Sequence, residues 1–354
     1  MEQIEKSKHS WKKKVIIAAC IVLAVILVLV AAAIIWVNAL LGRRGQLNQE
    51  TLSAEQIDSA MRGEGQENSE YGGPEMDPED VELPVEPVDL ITKSDNVINI
   101  LLVGQDRRKG QSRMHSDAMI LCTINTKTKT ITMTSFLRDV WVAIPGYGNQ
   151  RLNVPYLLEG FGLLNKTLEH NFGVSADYNV EIDFSGFMKA IDMVGGVDIE
   201  LTDKEAAYLN RRGNWDVEAN QNWSLTEGVN HLNGSQALAY SRIRQIGMDF
   251  ARTNRQRTVL MALIEKAKKL DAGTLYDLIY EMIPLLATDM SDGQIIGLAV
   301  ELVPMLKDMK IVSQRIPMDG HYSFANIEGN EVIVLSKSNY KKYRELLEQT
   351  LGAN

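Results

Sequence analysis

The stretch Val97-Ile98-Asn99-Ile100-Leu101-Leu102-Val103-Gly104 is a short apolar run that stops at a glycine, which is typical of a buried β-strand. A second apolar run extends from Met119 to Asn125, and residues 130–135 alternate between polar and apolar side chains. The polar stretch Thr126-Lys127-Thr128-Lys129 joins these two segments. The pattern therefore predicts three strands, of which the last two form a hairpin.

Outward from these strands, segments with helical spacing alternate with strand-like ones. Apolar periodicity predicts helices over 163–172, 184–194, 234–240, 252–270, 273–289, 292–306 and 338–351, and strands over 197–201, 309–316 and 331–335. The expected fold is α/β, a three-layer α/β/α sandwich with a central mixed sheet. The polar, Asn-rich residues 203–223 predict a surface insertion whose function the sequence does not indicate.

An almost uninterrupted apolar run over residues 15–41 predicts one N-terminal transmembrane helix, because about 20 residues cross a bilayer core. Lys12-Lys13-Lys14 precede the run and only Arg43-Arg44 follow it closely. The positive-inside rule then predicts a single-pass protein of the cell membrane, with residues 1–14 cytoplasmic and the remainder extracellular. The alternative is a secretory signal cleaved near Val37-Asn38-Ala39, although the apolar region of a signal is usually shorter.

Residues 42–95 are rich in Glu, Asp, Gly and Pro, which predicts a flexible acidic linker. Residues 96–354 are then expected to form one large extracellular domain, since their length suits a single domain. The chain has a formal net charge of −9 and no evident basic stripe, which argues against a nucleic-acid partner. Its two cysteines, Cys20 and Cys122, fall in the apolar run and in a predicted strand, so no disulfide framework or zinc site is expected.

Acidic and arginine side chains recur in two clusters of the predicted domain. The first contains Asp106, Asp117 and Arg138-Asp139, and the second runs from Ser241-Arg242-Ile243-Arg244 to Asp249 and Arg252. Guanidinium groups hold phosphate oxygens with paired hydrogen bonds, and carboxylates place a hard cation that bridges to them. The combination predicts a metal-assisted pyrophosphate site, although any single one of these charges could be a solvated surface group.

Helical spacing suggests a role for Gln256, and acid–base chemistry suggests one for Asp139. Arg252 and Gln256 are four residues apart on a predicted helix, so they share a face and could bind one phosphate together. Asp139 could accept the proton of an attacking hydroxyl, or it could form an ion pair that orients Arg138.

The motifs resemble those of the LytR-CpsA-Psr proteins of bacterial cell envelopes. The resemblance is strong over about residues 96–270 and rests on Leu102-Val103-Gly104-Gln105-Asp106-Arg107-Arg108, Ser116-Asp117, Ser135-Phe136-Leu137-Arg138-Asp139, Ile144-Pro145-Gly146, Arg151-Leu152-Asn153, Val194-Gly195-Gly196-Val197-Asp198, residues 232–244 and residues 249–256. Three motifs depart from the usual pattern, since Leu137 stands where a proline is common, Gln105 replaces a commoner serine, and no histidine follows Asn153.

This resemblance implies a membrane-anchored phosphotransferase that moves a glycopolymer, such as teichoic acid or capsule, from a polyprenyl pyrophosphate carrier to peptidoglycan through a phosphodiester. It also implies site residues in three roles. Metal binding, with Mg²⁺ or else Mn²⁺, is expected at Asp106 and Asp117. Pyrophosphate binding is expected at Arg108, Arg138, Arg151, Arg242, Arg244, Arg252 and Gln256, and catalysis at Arg138, Asp139, Arg242 and Arg244.

A polyprenyl tail requires an elongated apolar pocket beside the charged cluster. Candidate lining residues are Phe136, Val180, Ile182, Phe184, Phe187, Met188, Ile191, Leu238 and Val259, although such residues are usually core.

Two alternative functions remain open at this point. One is a hydrolase of lipid pyrophosphate or free pyrophosphate, and the other is a non-catalytic binding or regulatory protein of the envelope.

Overall fold

The computed structural model describes residue 47 and the ranges 51–63, 71–84, 86–105, 113–211 and 223–352. The predicted transmembrane helix over 15–41 lies outside these ranges, as do Asp106 and Arg108. Within the described ranges, no helix has the length and apolar character needed to cross a bilayer.

A six-stranded mixed sheet forms the centre of the molecule and confirms the expected α/β class. Its strands are β1 (Val97–Gln105), β2 (Ala118–Asn125), β3 (Thr130–Phe136), β6 (Tyr178–Asp183), β9 (Leu286–Thr288) and β10 (Lys310–Ile316), arranged in the order β10-β3-β2-β1-β6-β9. β2 and β3 form the predicted antiparallel hairpin, and β1 is antiparallel to β2. β1 runs parallel to β6, as β10 does to β3, and β9 closes the other edge antiparallel to β6.

Helices and three small hairpins lie before, between and after these strands along the chain. The helices are α1 (Ala54–Met61), α2 (Val154–Glu159), α3 (Phe161–Phe172), α4 (Phe184–Met193), α5 (Asp203–Leu209), α6 (Gly234–Ser241), α7 (Met248–Ala267), α8 (Ala272–Met282), α9 (Asp292–Leu302) and α10 (Lys337–Leu351). The hairpins pair β4 (Trp141–Ile144) with β5 (Gly148–Arg151), β7 (Val197–Leu201) with β8 (Gly228–Leu232), and β11 (Ser323–Ile327) with β12 (Asn330–Val334).

Helices pack on both faces of the sheet because its strands are apolar on both sides. On one face, Leu101, Met119 and neighbouring side chains contact α3 and α10 through residues such as Leu168 and Leu347. On the opposite face, the core cluster of Ile120, Ile124, Ile131 and Met133 packs against Leu260, Met261 and Ile264 of α7. The sheet therefore lies between two helical layers, as expected for an α/β/α sandwich.

The directions of the strands bring residues of the predicted site to the same end of the sheet, where β1, β3 and β6 terminate. β1, β3 and β6 all point the same way, so Gln105, Phe136 and Asp183 end near one another. β2 starts at this edge, where the amide of Asp117 donates to the carbonyl of Gly104 at 3.0 Å. Ligands of open α/β sheets commonly bind beyond the carboxyl ends of the strands.

Two predicted helices were wrong in detail. The helix predicted over 273–289 ends at Met282, because Pro284 interrupts it and residues 286–288 pair with β6 as strand β9. The helix predicted from residue 252 begins at Met248, after Gly247 in a left-handed conformation with φ 84°. Its earlier start places Asp249 in the first turn.

The segment predicted as a flexible linker is packed against the domain wherever the structure describes it. The amide of Val88 donates to the carbonyl of His170 at 3.0 Å, and that of Ile91 donates to Gly173 at 2.8 Å. Tyr71, Val81 and Ile91 are buried. The acidic composition suggested a solvated chain, but these spaced apolar side chains and backbone hydrogen bonds hold the segment in place.

We expect Gly234→Ala to lower the free energy of unfolding by about 1–3 kcal/mol, because the added methyl group would overpack a helix contact. A Cβ on this first residue of α6 would lie 2.3 Å from the backbone oxygen of Met188 in α4. Urea unfolding measures the change. The matched control is Gly297→Ala within α9, where a Cβ meets nothing within 4 Å, and where we expect a gain of about 0.5–1 kcal/mol. Equal stability of the two variants would contradict this packing.

Candidate functional site

Arg138 is the centre of a buried charge cluster beyond the carboxyl end of β3. Its Nη1 donates to Asp117 Oδ1 at 3.1 Å, and its Nε lies 3.5 Å from Asp139 Oδ1 and 3.4 Å from Asp249 Oδ1. Its side chain is only 8% exposed. A buried guanidinium requires such compensation, since an isolated charge in the interior is strongly unfavourable.

The acids set the charge state of this arginine and of one another. Burial alone would lower the pKa of Arg138, but Asp139, Asp249 and Asp117 raise it above its ordinary value, so the guanidinium stays charged. Burial raises the pKa of the Asp249 carboxyl, and the neighbouring Arg252 and Arg138 oppose that shift. Asp249 also forms an ion pair with Arg252, one turn away on α7.

Arginines from two further elements reach the same acids. Arg252 Nη1 lies 3.8 Å from Asp117 Oδ1, and Arg244 Nη2 lies 3.7 Å from the same oxygen. Arg242 lies at the C-terminus of α6, with its guanidinium carbon 4.5 Å from the centre of the Phe184 ring. The structure thus brings together five predicted site residues, namely Asp117, Arg138, Arg242, Arg244 and Arg252.

A cavity of about 530 Å³ opens at this cluster. Its charged end is lined by Asp117, Arg242, Arg244, Arg252 and Gln256, and its apolar walls include Leu102, Ile120, Ile182, Phe184, Phe187, Leu238 and Leu260. Arg252 and Gln256 share this wall, as their spacing on the helix predicted. The shape suits an amphiphilic ligand with an anionic head and an apolar tail.

The predicted lining residues divide between cavity and core. Ile182, Phe184, Phe187 and Leu238 line the cavity. Phe136, Ile191 and Val259 belong to the hydrophobic core clusters instead, and Val180 and Met188 are also absent from the cavity wall. Side chains on one strand or helix can face either direction, and only the tertiary packing decides which of them meet the cavity.

Arg138 and two further predicted site residues, Arg151 and Asp139, lie behind the cavity wall rather than on it. Arg151 is fully buried, with Nη1 3.8 Å from Asp139 Oδ1 and Nη2 donating to Asn330 Oδ1 at 2.9 Å. Asp139 is fully buried and accepts a hydrogen bond from the Tyr71 hydroxyl at 3.0 Å. This placement matches the ion-pair alternative for Asp139, because its carboxylate is enclosed by Tyr71 and two arginines.

Sequence reasoning named Asp249 only as a member of the second charged cluster and gave Tyr71 no role. Asp249 bridges Arg138 and Arg252, and its three-residue spacing from Arg252 on one helix was an available signal. Tyr71 comes from the segment taken for a linker, so no local pattern pointed to it.

The loop that carries Arg242 and Arg244 is held by the buried Arg255. Arg255 donates from Nη1 to the carbonyl of Ile243 at 2.9 Å and from Nη2 to that of Ile246 at 2.7 Å. Its Nε donates to Glu205 Oε1 at 2.7 Å. One planar guanidinium therefore fixes both ends of the loop against α5.

We expect Arg255→Lys to lower the free energy of unfolding by about 2 kcal/mol, because an ammonium cannot reproduce three hydrogen bonds in this fork geometry. Chemical denaturation measures the loss. Arg62→Lys, at an exposed ion pair with Asp58, is the matched control and should change stability by less than about 0.5 kcal/mol. A fully stable Arg255→Lys variant would show that the loop does not depend on this fork.

Among the described residues, no group of three or more His, Cys, Asp or Glu side chains is arranged to hold a metal ion. The Asp117 carboxylate, 26% exposed on the cavity wall, is a suitable oxygen ligand for a hard cation. Its expected partner Asp106 lies outside the described ranges.

Comparison with known proteins gives consistent matches. The protein is 37% identical over 175 residues to the regulatory protein MsrR of Staphylococcus aureus, an alignment that covers 48% of this chain and about half (49%) of that relative. It is 31% identical over 228 residues to the polyisoprenyl-teichoic acid–peptidoglycan teichoic acid transferase TagT of Bacillus subtilis, covering 63% of this chain and 68% of TagT.

Solved structures agree with these sequence matches. The structure of the LytR-CPS2A-psr family protein YwtF (TagT) with bound octaprenyl pyrophosphate lipid superposes with a TM-score of 0.57 at 27% identity, covering 75% of this chain and 96% of that one. The profile of the LytR_cpsA_psr family matches residues 55–349, which include the packed N-terminal segment as well as the sheet and the arginine cluster. With the motifs, the fold and this match in agreement, the chain belongs to the LytR_cpsA_psr family.

Proposed function

We propose that the protein transfers a glycopolymer from a polyprenyl pyrophosphate carrier to peptidoglycan and joins them by a phosphodiester. The observation that carries this proposal is the junction of an apolar cavity of about 530 Å³ with a ring of arginines. A polyprenyl tail needs the apolar walls, and a pyrophosphate needs the cations. The similarity to TagT, whose name specifies teichoic acid transfer to peptidoglycan, supports the same donor and acceptor classes.

The donor would lie with its tail against Leu102, Ile120, Phe187 and Leu260 and its pyrophosphate at the arginine end. Arg242, Arg244 and Arg252 would bind the phosphate oxygens, with Gln256 beside them on the same wall. Arg138 would add positive charge from behind Asp117. The TagT complex with octaprenyl pyrophosphate supports this class of ligand.

In the reaction, a hydroxyl of the peptidoglycan glycan attacks the sugar-linked phosphorus. A new phosphorus–oxygen bond forms and the bond to the bridging oxygen of the pyrophosphate breaks. Polyprenyl phosphate leaves with the bonding electron pair, and the proton of the attacking hydroxyl passes through solvent to the released phosphate. Positioning and charge neutralisation supply most of the catalysis of such transfers. The arginines of the site supply the positive charge, and ion pairs with Asp117 and Asp249 position Arg138 and Arg252.

Asp117 and Asp106 would hold the divalent cation, for which Mg²⁺ and Mn²⁺ both suit carboxylate and phosphate oxygens. When bound, the cation would offset the negative charge of the pyrophosphate. Asp117 fits this role because its carboxylate faces the cavity and is already fixed by a hydrogen bond from Arg138.

The proposal includes a single-pass anchor over residues 15–41, with the N-terminus cytoplasmic and the domain extracellular. The apolar run and the lysines before it support this topology. A membrane-bound position would also suit a donor that is itself dissolved in the bilayer.

The experiment that tests the function incubates the full chain in detergent with a polyprenyl pyrophosphoryl saccharide, a peptidoglycan oligomer and Mg²⁺. We expect mass spectrometry to detect a phosphodiester-linked saccharide on the glycan. We expect Arg244→Ala to reduce the transfer rate about 100-fold, since it removes a phosphate-binding cation from the cavity wall. Arg62→Ala, which changes an exposed arginine just after α1, should keep the parent rate.

The alternative functions give different products in the same assay. Release of a free phosphosaccharide without linkage to the glycan would indicate the hydrolase. Donor that co-purifies with the protein and stays intact would indicate the non-catalytic binding protein.

Removal of the divalent cation should stop transfer. We expect EDTA to abolish product formation and added Mg²⁺ to restore it, and Asp117→Asn to raise the half-saturating Mg²⁺ concentration by about 10-fold or more. Asp308→Asn, at an exposed ion pair with Lys129, is the control and should keep the parent requirement. Transfer that continues in excess chelator would argue against a metal at Asp117.

A further inference from the structure

The chain segment before the sheet is part of the architecture around the arginine cluster. The backbone amides of Tyr71 and Gly72 donate to the Glu331 carboxylate of β12 at 2.9 and 3.2 Å. The next residues pair with β11, since the amide of Met76 donates to Asn326 at 2.9 Å and the amide of Asn326 donates to Pro74 at 2.8 Å. These contacts determine where the side chain of Tyr71 lies.

Aromatic packing also fixes the ring of Tyr71. The ring stacks on Phe324 with centroids 4.5 Å apart and an interplanar angle of 12°, and it meets the Phe250 ring edge-on at 6.1 Å. Gly73 lets the backbone pass close to β11, because a Cβ there would lie 2.5 Å from the Ala325 nitrogen. The hydroxyl of this held ring points to the buried carboxylate of Asp139.

The hydrogen bond from Tyr71 to Asp139 has a geometric consequence for Arg138. The Tyr71 hydroxyl donates to Asp139 Oδ2 at 3.0 Å, which leaves Oδ1 directed at Arg138 Nε and Arg151 Nη1. The plane of the carboxylate is therefore set by a donor on one oxygen and two cations on the other. Rotation of this plane would move the acceptor that faces Arg138.

We propose that Tyr71 is a positioning residue that orients Arg138 through Asp139. This inference rests on the proposed transferase function and extends its active centre to the segment that precedes the sheet. Arg138 in turn donates to Asp117 on the cavity wall, so a displacement of the guanidinium is passed to the charged end of the cavity. Catalysis by positioned charges is sensitive to displacements of this kind.

Tyr71→Phe in the full chain tests the inference, because it removes the hydroxyl and keeps the aromatic ring. We expect kcat for glycopolymer transfer to fall about tenfold or more, as for the loss of a hydrogen bond to a charged group. The KM for the polyprenyl pyrophosphoryl donor should stay within about twofold, since the arginines and apolar walls that bind it are retained.

Tyr322→Phe is the matched control. Tyr322 belongs to the same aromatic group, with its ring stacked on Phe250 at 4.8 Å, so its variant also loses a hydroxyl but keeps the bond to Asp139. It should retain the parent kcat. Melting temperatures of both variants should lie within a few degrees of the parent, which separates positioning from a general loss of stability.

A second comparison uses Asp139→Asn as the background. If Tyr71 acts through Asp139, Tyr71→Phe should lower kcat much less in that background than in the parent, and this non-additivity is the signature of a direct coupling. Should the Asp139→Asn variant fail to fold, the comparison of Tyr71→Phe with Tyr322→Phe decides by itself.

An equal kcat for Tyr71→Phe, Tyr322→Phe and the parent would overturn the inference while leaving the transferase function intact. A fall in kcat that merely follows a fall in melting temperature would also overturn it. An inactive parent chain would instead remove the proposed function on which the inference rests.

Discussion

The buried guanidinium of Arg138 is the constraint on which the site depends. Three carboxylates from different parts of the chain surround it, Asp117 at the start of β2, Asp139 after β3 and Asp249 in the first turn of α7. Breaking a buried ion pair by removing one partner leaves an uncompensated charge, which usually costs about 3–5 kcal/mol. Strands β2 and β3 and helix α7 must therefore assemble together for the site to exist.

Helix α7 connects the charge cluster to the apolar cavity. The middle of α7 packs on the sheet through Met261 and Ile264, while its first turns carry Asp249, Arg252 and Gln256. Leu260 faces the cavity between these two regions. A rigid helix thus sets the distance between the cations and the apolar walls, which a ligand with a charged head and an apolar tail must match.

Several parts of this arrangement could be predicted from local sequence, and others could not. The β2–β3 hairpin and the shared face of Arg252 and Gln256 follow from periodicity, which depends only on the backbone geometry of strands and helices. The sequence predicts helix where β9 lies, because the three apolar residues after Pro284 are too few to show an alternating pattern. Pairing with the edge strand β6 determines the conformation of β9. The packing of residues 71–84 and 86–95 could not be predicted from their acidic composition, although Tyr71, Val81 and Ile91 are buried there.

The sequence by itself determined the fold class, the family and most of the charged residues of the site, because motifs and apolar periods are local properties of the chain. Only the tertiary structure decided which arginines face the cavity and which lie behind it. Arg242 and Arg252 line the wall, whereas Arg151 is enclosed next to Asp139. The physical reason is that burial and the direction of a side chain depend on contacts between segments far apart in sequence, such as Tyr71 with Asp139 and Arg255 with Glu205.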